Sequence, residues 1–187
     1  QVVTVPPSLA ARTRMEISGA LWLADLKQTL VISDDTGHKG QGNGTPWVFW
    51  WHKDGRLDKE PSLIEGVRKI SDLEAVTQDK KGTLYFLCSQ SLSKKGKRPK
   101  KRQCLLRVKR NQRQLVATGH IRLYKYLKKS LTAEQIVDLG LSDDLDIEGM
   151  TWWKGGLLFG LKSPLHDGHK ARLWHLTNVD ALFDDSD

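Results

Sequence analysis

The stretch that decides the fold is Asp72-Leu-Glu-Ala-Val-Thr77, followed after a turn containing Gly82 by Thr83-Leu-Tyr-Phe-Leu-Cys88. An acidic start leads into one short apolar run, and a second apolar run returns after the turn. Short runs rich in β-branched and aromatic residues, bounded by turn residues, are typical of β-strands. The stretch therefore predicts an antiparallel hairpin.

The same pattern occurs twice more. Glu16-Ile-Ser-Gly-Ala-Leu-Trp22 leads to Thr29-Leu-Val-Ile-Ser-Asp34, and Asp146-Ile-Glu-Gly-Met-Thr151 leads to Gly156-Leu-Leu-Phe-Gly-Leu161. Repeats of this length, made of short strands, are the signature of a β-propeller of four-stranded blades. We therefore predict an all-β fold.

The 187 residues accommodate about three blades, at about residues 14–67, 71–119 and 145–187. They form a single propeller domain or the N-terminal half of one. One segment differs, because Thr132-Ala-Glu-Gln135 has the pattern of a capping box. It predicts one short helix from about Ala133 to Leu139.

Acidic residues recur near the start of each first strand. Alignment of the three copies places Ser18, Glu74 and Glu148 at one equivalent position. Innermost strands line a propeller's channel, so the two glutamates should converge, and converging carboxylates repel unless a proton or a cation lies between them. Calcium takes oxygen ligands in irregular geometry. The predicted calcium ligands are Glu74 and Glu148, with further oxygens from Asp34, Asp35, Asp72 and Asp146.

An alternative interpretation of these acids needs no metal. Carboxylates near the start of a strand can accept hydrogen bonds from backbone amides of the neighbouring blade. In that case they hold blade to blade.

Basic charge is concentrated in one part of the chain. The net charge is +8, yet the segment from Lys80 to Ala133 has 17 Lys and Arg and no Asp or Glu, whereas the rest has 13 basic and 22 acidic residues. Its densest run, Lys94 to Arg102, separates two predicted strands and should project as a mobile hairpin tip that meets an acidic partner or polyanion. Its cations are Lys94, Lys95, Lys97, Arg98, Lys100, Lys101 and Arg102. The alternative is a solvated loop that keeps the protein soluble.

The two cysteines, Cys88 and Cys104, fall on consecutive predicted strands of one hairpin. Such strands bring Cα atoms within the ~4.4–6.8 Å that a disulfide needs, provided that the two residues lie opposite one another. Two buried free thiols are the alternative.

Several classes of function lack sequence support. No apolar stretch approaches the ~20 residues of a membrane-spanning helix. The chain has no Gly-x-Ser-x-Gly motif for a serine nucleophile, and its Gly-rich segment 36–44 lacks the ending of a phosphate-binding loop. No histidine pair has the spacing of a zinc-binding helix.

Four segments carry a family resemblance: Asp72-Leu-Glu-Ala-Val76, Asp146-Ile-Glu-Gly-Met150, Gly156-Leu-Leu-Phe-Gly-Leu-Lys-Ser-Pro164 and Leu173-Trp-His-Leu-Thr-Asn-Val-Asp-Ala-Leu-Phe183. In these segments the chain resembles a bacterial propeller family known only as a domain of unknown function. That family is similar in turn to the esterase-like phytase propellers and their calcium-binding relatives. The resemblance implies a six-bladed propeller that is often exported. It implies axial calcium and phosphoester hydrolysis only for the more distant relatives.

Carried over residue by residue, the resemblance makes Glu74 and Glu148 axial ligands, with Ser18 where a third acid is expected. Six blades need roughly twice this chain, because three blades leave strand edges and apolar faces uncovered. The expected partner is therefore the second half of the propeller, from the same longer chain or a second copy. The expected location is periplasmic or secreted, with the cytoplasm as the alternative.

Two functional hypotheses follow. In the first, a propeller with a bound cation binds, and as a phytase-like enzyme hydrolyses, an anionic ester at the channel mouth. In the second, a non-enzymatic interaction module docks its basic hairpin on an acidic partner or polyanion.

Overall fold

The computed structural model describes residues 4–7, 15–34, 47–67 and 69–184, and these residues are mostly β. The strands are β1 Ile17–Leu23, β2 Gln28–Ser33, β3 Trp47–Trp51, β4 Ile64–Glu65, β5 Leu73–Gln78, β6 Leu84–Cys88, β7 Cys104–Asn111, β8 Gln114–Arg122, β9 Asp146–Trp153, β10 Gly156–His166 and β11 Lys170–Leu176. The α-helices are α1 Leu123–Ser130, α2 Ala133–Leu139 and α3 Val179–Asp184, and a 3-10 turn spans Lys100–Arg102.

The strands form three sheets, and each contains one copy of the repeated sequence. The first sheet has the order β1-β2-β3, the second β4-β8-β7-β6-β5 and the third β11-β10-β9. Neighbouring strands are antiparallel except β4, which pairs in parallel with β8. The expectation of a mainly β fold is confirmed. The sheets have three, five and three strands, and the described residues form no closed ring of sheets.

The first strands of the three repeats are β1, β5 and β9, and these first strands lie side by side. Strand β5 contacts β1 on one side and β9 on the other. The Asp72 amide donates to the carbonyl oxygen of Asp34 at 2.8 Å, and the Ile147 amide donates to that of Ser89 at 2.8 Å. Asp34 and Ser89 each follow the second strand of a repeat, so a similar inter-sheet link occurs twice, with the donor one position later in the third repeat.

The second sheet is buried on both faces. Successive side chains on a strand point to opposite faces, so Leu84 and Phe86 pack with the first sheet while Tyr85 and Leu87 pack with the third. All five residues of β6 are buried. This two-sided burial explains why β6 is a continuous apolar run rather than an alternating one.

The predicted helix is confirmed as α2. The Thr132 hydroxyl accepts from the Gln135 amide at 3.2 Å, and the Gln135 side chain accepts from the Thr132 amide at 2.9 Å. Gly140, at φ 62°, ends the helix in the left-handed conformation that glycine tolerates.

The expectation of a single helix was too low, because α1 and α3 are also present in the described ranges. Helix α1 lacks a side-chain cap at Arg122, which removes the signal that revealed α2. Helix α3 has six residues and buries Val179, Leu182 and Phe183 in the apolar core between the second and third sheets. Its stability depends on that packing, since isolated helices of this length are unstable in water. None of the helices in the described segments is long and apolar enough to cross a membrane.

Candidate functional site

Five of the predicted acidic residues come together at one end of the first strands. Glu74 lies on β5 and Asp146 and Glu148 on β9, while Asp72 precedes β5 and Asp34 follows β2. The negative charge of each of the other four raises the pKa of Glu74. We call this group of five the acidic mouth. Asp35, the sixth predicted ligand, lies outside the described residues.

Glu74 is the central member of the acidic mouth. Burial, together with the charges of Asp72, Asp34, Glu148 and Asp146, raises its pKa from an ordinary value of 4.5 to about 8. At neutral pH this carboxyl is therefore mostly protonated and neutral. A proton at Glu74 is one of the two ways in which converging carboxylates avoid repulsion, and a bound cation is the other.

Protein cations neutralise part of the remaining charge. Lys162 Nζ lies 2.5 Å from Glu148 Oε1 and 3.7 Å from Asp146 Oδ2. The hydrogen bond to Glu148 and the charges of Glu148 and Asp146 raise the pKa of Lys162. Burial raises the pKa of Asp146, and its Oδ1 atom is buried with no hydrogen-bond partner among the described residues.

Asp72 is held by side chains of the basic segment. It accepts hydrogen bonds from the hydroxyls of Ser89 and Ser91 and pairs with the Arg102 guanidinium at 3.1 Å. These side-chain contacts all lie within the second repeat, so they differ from the alternative interpretation, in which the acids accept backbone amides of a neighbouring blade.

Ser18 occupies the third equivalent position and makes a structural contact. Its hydroxyl donates a hydrogen bond to the Leu73 carbonyl and so joins β1 of the first sheet to β5 of the second. Within the described ranges, no group of three or more His, Cys, Asp or Glu side chains is arranged to hold a metal ion. Calcium at the acidic mouth therefore stays a prediction.

The segment between β6 and β7, here called the basic hairpin, is closed at its base by a disulfide. Cys88 and Cys104, both fully buried, are joined by a disulfide with their Cα atoms 5.3 Å apart. At the tip, the Ser93 amide donates to the Lys97 carbonyl at 2.7 Å and closes a tight turn.

Two of the seven predicted polyanion-binding cations make contacts within the fold. Arg98 donates to the Leu145 carbonyl at 3.1 Å, and its guanidinium lies 3.8 Å from the centre of the Tyr124 ring. Arg102 is the counter-ion of Asp72. The remaining five are exposed and form no salt bridge with any described residue: Lys94, Lys95, Lys97, Lys100 and Lys101.

Helix α1 places further cations next to the hairpin. The Tyr124 ring that contacts Arg98 also lies 5.8 Å from Lys128 Nζ. Lys125 and Lys129 are exposed on the same helix. We call the exposed lysines of the hairpin and α1 the basic surface: Lys94, Lys95, Lys97, Lys100, Lys101, Lys125, Lys128 and Lys129. The α1 contribution was missed because the helix itself was not predicted.

Comparisons with protein-family models, curated proteins and solved structures found no match to this chain. The resemblance to the bacterial propeller family stays a prediction.

The protonation of Glu74 predicts a specific pH dependence. A carboxyl whose pKa is higher in the folded than in the unfolded state opposes folding when it ionises, so stability falls as pH rises from about 4.5 to about 8. Glu74→Gln cannot ionise, so we expect its Tm to exceed that of wild type at pH 9 but not at pH 5. The gain should be about 2–4 °C for each kcal/mol recovered.

Thermal unfolding followed by circular dichroism at both pH values measures this difference. The matched control is Glu134→Gln, an exposed position on α2. Parallel pH profiles for wild type and Glu74→Gln would show that the acidic mouth does not hold a proton at Glu74.

Proposed function

We propose that this chain is a non-enzymatic interaction module, built on consecutive β-propeller blades, that docks on an acidic partner or polyanion through its basic surface. The observation that carries this proposal is the set of five exposed hairpin lysines without a counter-ion among the described residues. Close, unpaired cations raise the local positive potential, which attracts polyanions and accelerates encounter.

The way in which the hairpin is held also supports docking. The Cys88–Cys104 disulfide fixes its base, Arg102 pairs with Asp72, and Arg98 contacts Tyr124. A hairpin backbone held in this way loses little conformational entropy on binding, so the cost of ordering falls mainly on the lysine side chains.

The propeller architecture is supported by equivalent positions in the three sheets. Strand registers make Leu30, Tyr85 and Leu158 counterparts, because they pair with Leu21, Thr77 and Thr151 of the first strands. Leu30 packs in the core against the second sheet, and Tyr85 in the core against the third. Consecutive sheets thus cover one another through the same positions, as blades do.

The third sheet lacks such a cover in the described residues. Leu158 is partly exposed. Leu173 lies on the same face, because it pairs with Gly160 two residues after Leu158, and it is 64% exposed. We propose that a further blade covers this face, from the second half of the propeller in a longer chain or from a second copy.

A second candidate function is favoured by the raised pKa of Glu74. In this proposal the acidic mouth binds calcium through Glu74 and Glu148, with Asp34, Asp72 and Asp146, and a phosphoester substrate binds there as in phytase-like enzymes. A divalent cation would displace the proton of Glu74 and compete with Lys162 for Glu148. The bound cation would supply positive charge for the phosphoester oxygens.

The disulfide supports a periplasmic or secreted location, because disulfides persist in oxidising compartments and are rare in the cytosol. Alkylation of the natively produced protein without reductant tests this location. Two modified thiols in the intact mass would contradict it.

For the docking proposal we expect Lys94→Gln/Lys95→Gln/Lys97→Gln to weaken binding to a duplex DNA or heparin probe. With the DNA probe, the slope of log K against log salt should shrink by about 0.9 for each lost phosphate contact. The charge-matched control is Lys27→Gln/Lys69→Gln/Lys154→Gln, which removes three exposed lysines outside the basic surface. An equal loss of probe affinity in the two variants would show that net charge alone causes the effect. That result would refute a defined binding surface.

For the calcium proposal we expect added calcium to raise the Tm of wild type at pH 9 and to leave that of Glu74→Gln unchanged. The reason is that only the protein that binds calcium is stabilised by mass action. Magnesium at the same ionic strength is the control. A calcium effect of equal size in both proteins, or in neither, would rule out a site at Glu74.

For the propeller proposal we expect the isolated 187-residue chain to associate at micromolar concentration, because exposed apolar faces of this kind are rare in soluble monomers. Leu173→Lys should reduce the association, whereas Val137→Lys, at an exposed position on α2, should not. Light scattering measures the mass. A soluble, well-folded wild-type monomer would contradict the uncovered blade face.

A further inference from the structure

A cavity of about 300 Å³ lies apart from both the acidic mouth and the basic surface. Its walls come from the turn between β5 and β6, from β6, β7 and β8, and from helix α3. Pockets that bind small molecules usually enclose about 300–1,000 Å³ and combine a mostly apolar lining with a few polar groups that orient the ligand. This cavity is at the lower end of that range, and its lining is mostly polar and charged.

Arg107 is the main cation of the cavity. It projects from β7 opposite Tyr85, and its side chain is 23% exposed. Its ion pairs with Asp180 and Asp184 measure 3.6 and 3.9 Å, which is too long for hydrogen bonds. A guanidinium carries five N–H donors in a planar fork, so Arg107 has donors available for a ligand.

Two lysines at the cavity lack a carboxylate partner in the described part of the chain. Lys81 and Lys109 are exposed and have no ion pair among the described residues. Arg107 lies near both Asp180 and Asp184, so with Asp79 the charges around the cavity sum to zero although the two lysines pair with none of these carboxylates. A ligand carboxylate would supply a partner for Lys109, and it fits the Arg107 guanidinium fork through two parallel hydrogen bonds.

The remaining polar groups suit hydroxyls. Burial and the nearby carboxylates raise the pKa of Tyr85 to about 12, so its hydroxyl remains protonated. Thr83 and Thr118 add two hydroxyls to the lining. Asp79 Oδ1 accepts hydrogen bonds from the backbone amides of Lys81 and Thr83, both at 2.8 Å. The Tyr85 hydroxyl lies 3.4 Å from the other oxygen, Asp79 Oδ2. That second oxygen keeps acceptor capacity for a ligand hydroxyl.

From this arrangement we infer that the cavity binds a small hydroxylated carboxylate of the sugar-acid class. The carboxylate lies on Arg107 and Lys109, and the hydroxyls meet the threonines and Asp79. This site is independent of the proposed docking on polyanions, because it shares no residue with the basic surface.

Isothermal titration with glucuronate tests the proposal on the full chain. Glucose has the same ring without the carboxylate, and inorganic phosphate is an oxyanion without hydroxylated carbon. We expect glucuronate to bind, with glucose and phosphate each at least tenfold weaker. Phosphate binding as tight as that of glucuronate, equal binding of glucose, or no heat with glucuronate would each overturn the proposal.

Two variants locate the binding. Arg107→Lys keeps the charge but loses the planar fork, and Lys109→Met removes an exposed charge without disturbing the core. We expect glucuronate affinity to fall about tenfold in each, the effect of losing one charge-assisted contact. Lys154→Met, outside the cavity, is the matched control. Unchanged affinity in Lys109→Met, or an equal loss in Lys154→Met, would place binding elsewhere and refute the site.

Discussion

The rest of the structure depends on the hydrogen bond that joins the end of one hairpin to the start of the next. The Asp72 amide bonds the Asp34 carbonyl, and the Ile147 amide bonds the Ser89 carbonyl. Each link sets the first strand of a repeat beside the preceding sheet, so β1, β5 and β9 become neighbours. Because backbone groups make the link, it does not use the carboxylates of Asp34 and Asp72.

Once the first strands are neighbours, their acidic starts must share a small volume. The structure reduces the repulsion by different means at different positions. Glu74 holds a proton near neutral pH, Glu148 pairs with Lys162, and Asp72 pairs with Arg102. Ser18 has no charge at the equivalent position and bonds a carbonyl instead. Evidence for binding at the acidic mouth must therefore show that a ligand replaces the proton or the lysine.

The sequence was sufficient for features that depend on neighbouring residues. The apolar runs around Gly82 and Gly155 predict the hairpins of the second and third repeats, and the Thr132 and Gln135 pair predicts α2, because strand periodicity and capping are local. Distant contacts were not predictable. Three features depend on residues far apart in the chain. They are the parallel pairing of β4 with β8, the packing of α3 in the core between the second and third sheets, and the contacts of Arg98 and Arg102 within the fold. A run of seven cations gives no local signal of which two will turn inward.

The two inward arginines connect the regions of opposite charge. Arg102 lies in the basic segment and neutralises Asp72 in the acidic mouth, while Arg98 reaches the Leu145 carbonyl just before β9. Opposite net charges at neighbouring sites attract each other, so the acidic mouth stabilises the hairpin that carries the basic surface. A polyanion that approached the outer lysines would meet a hairpin already fixed at Cys88, Arg98 and Arg102. The acidic mouth thereby orients the basic surface even where it binds nothing itself.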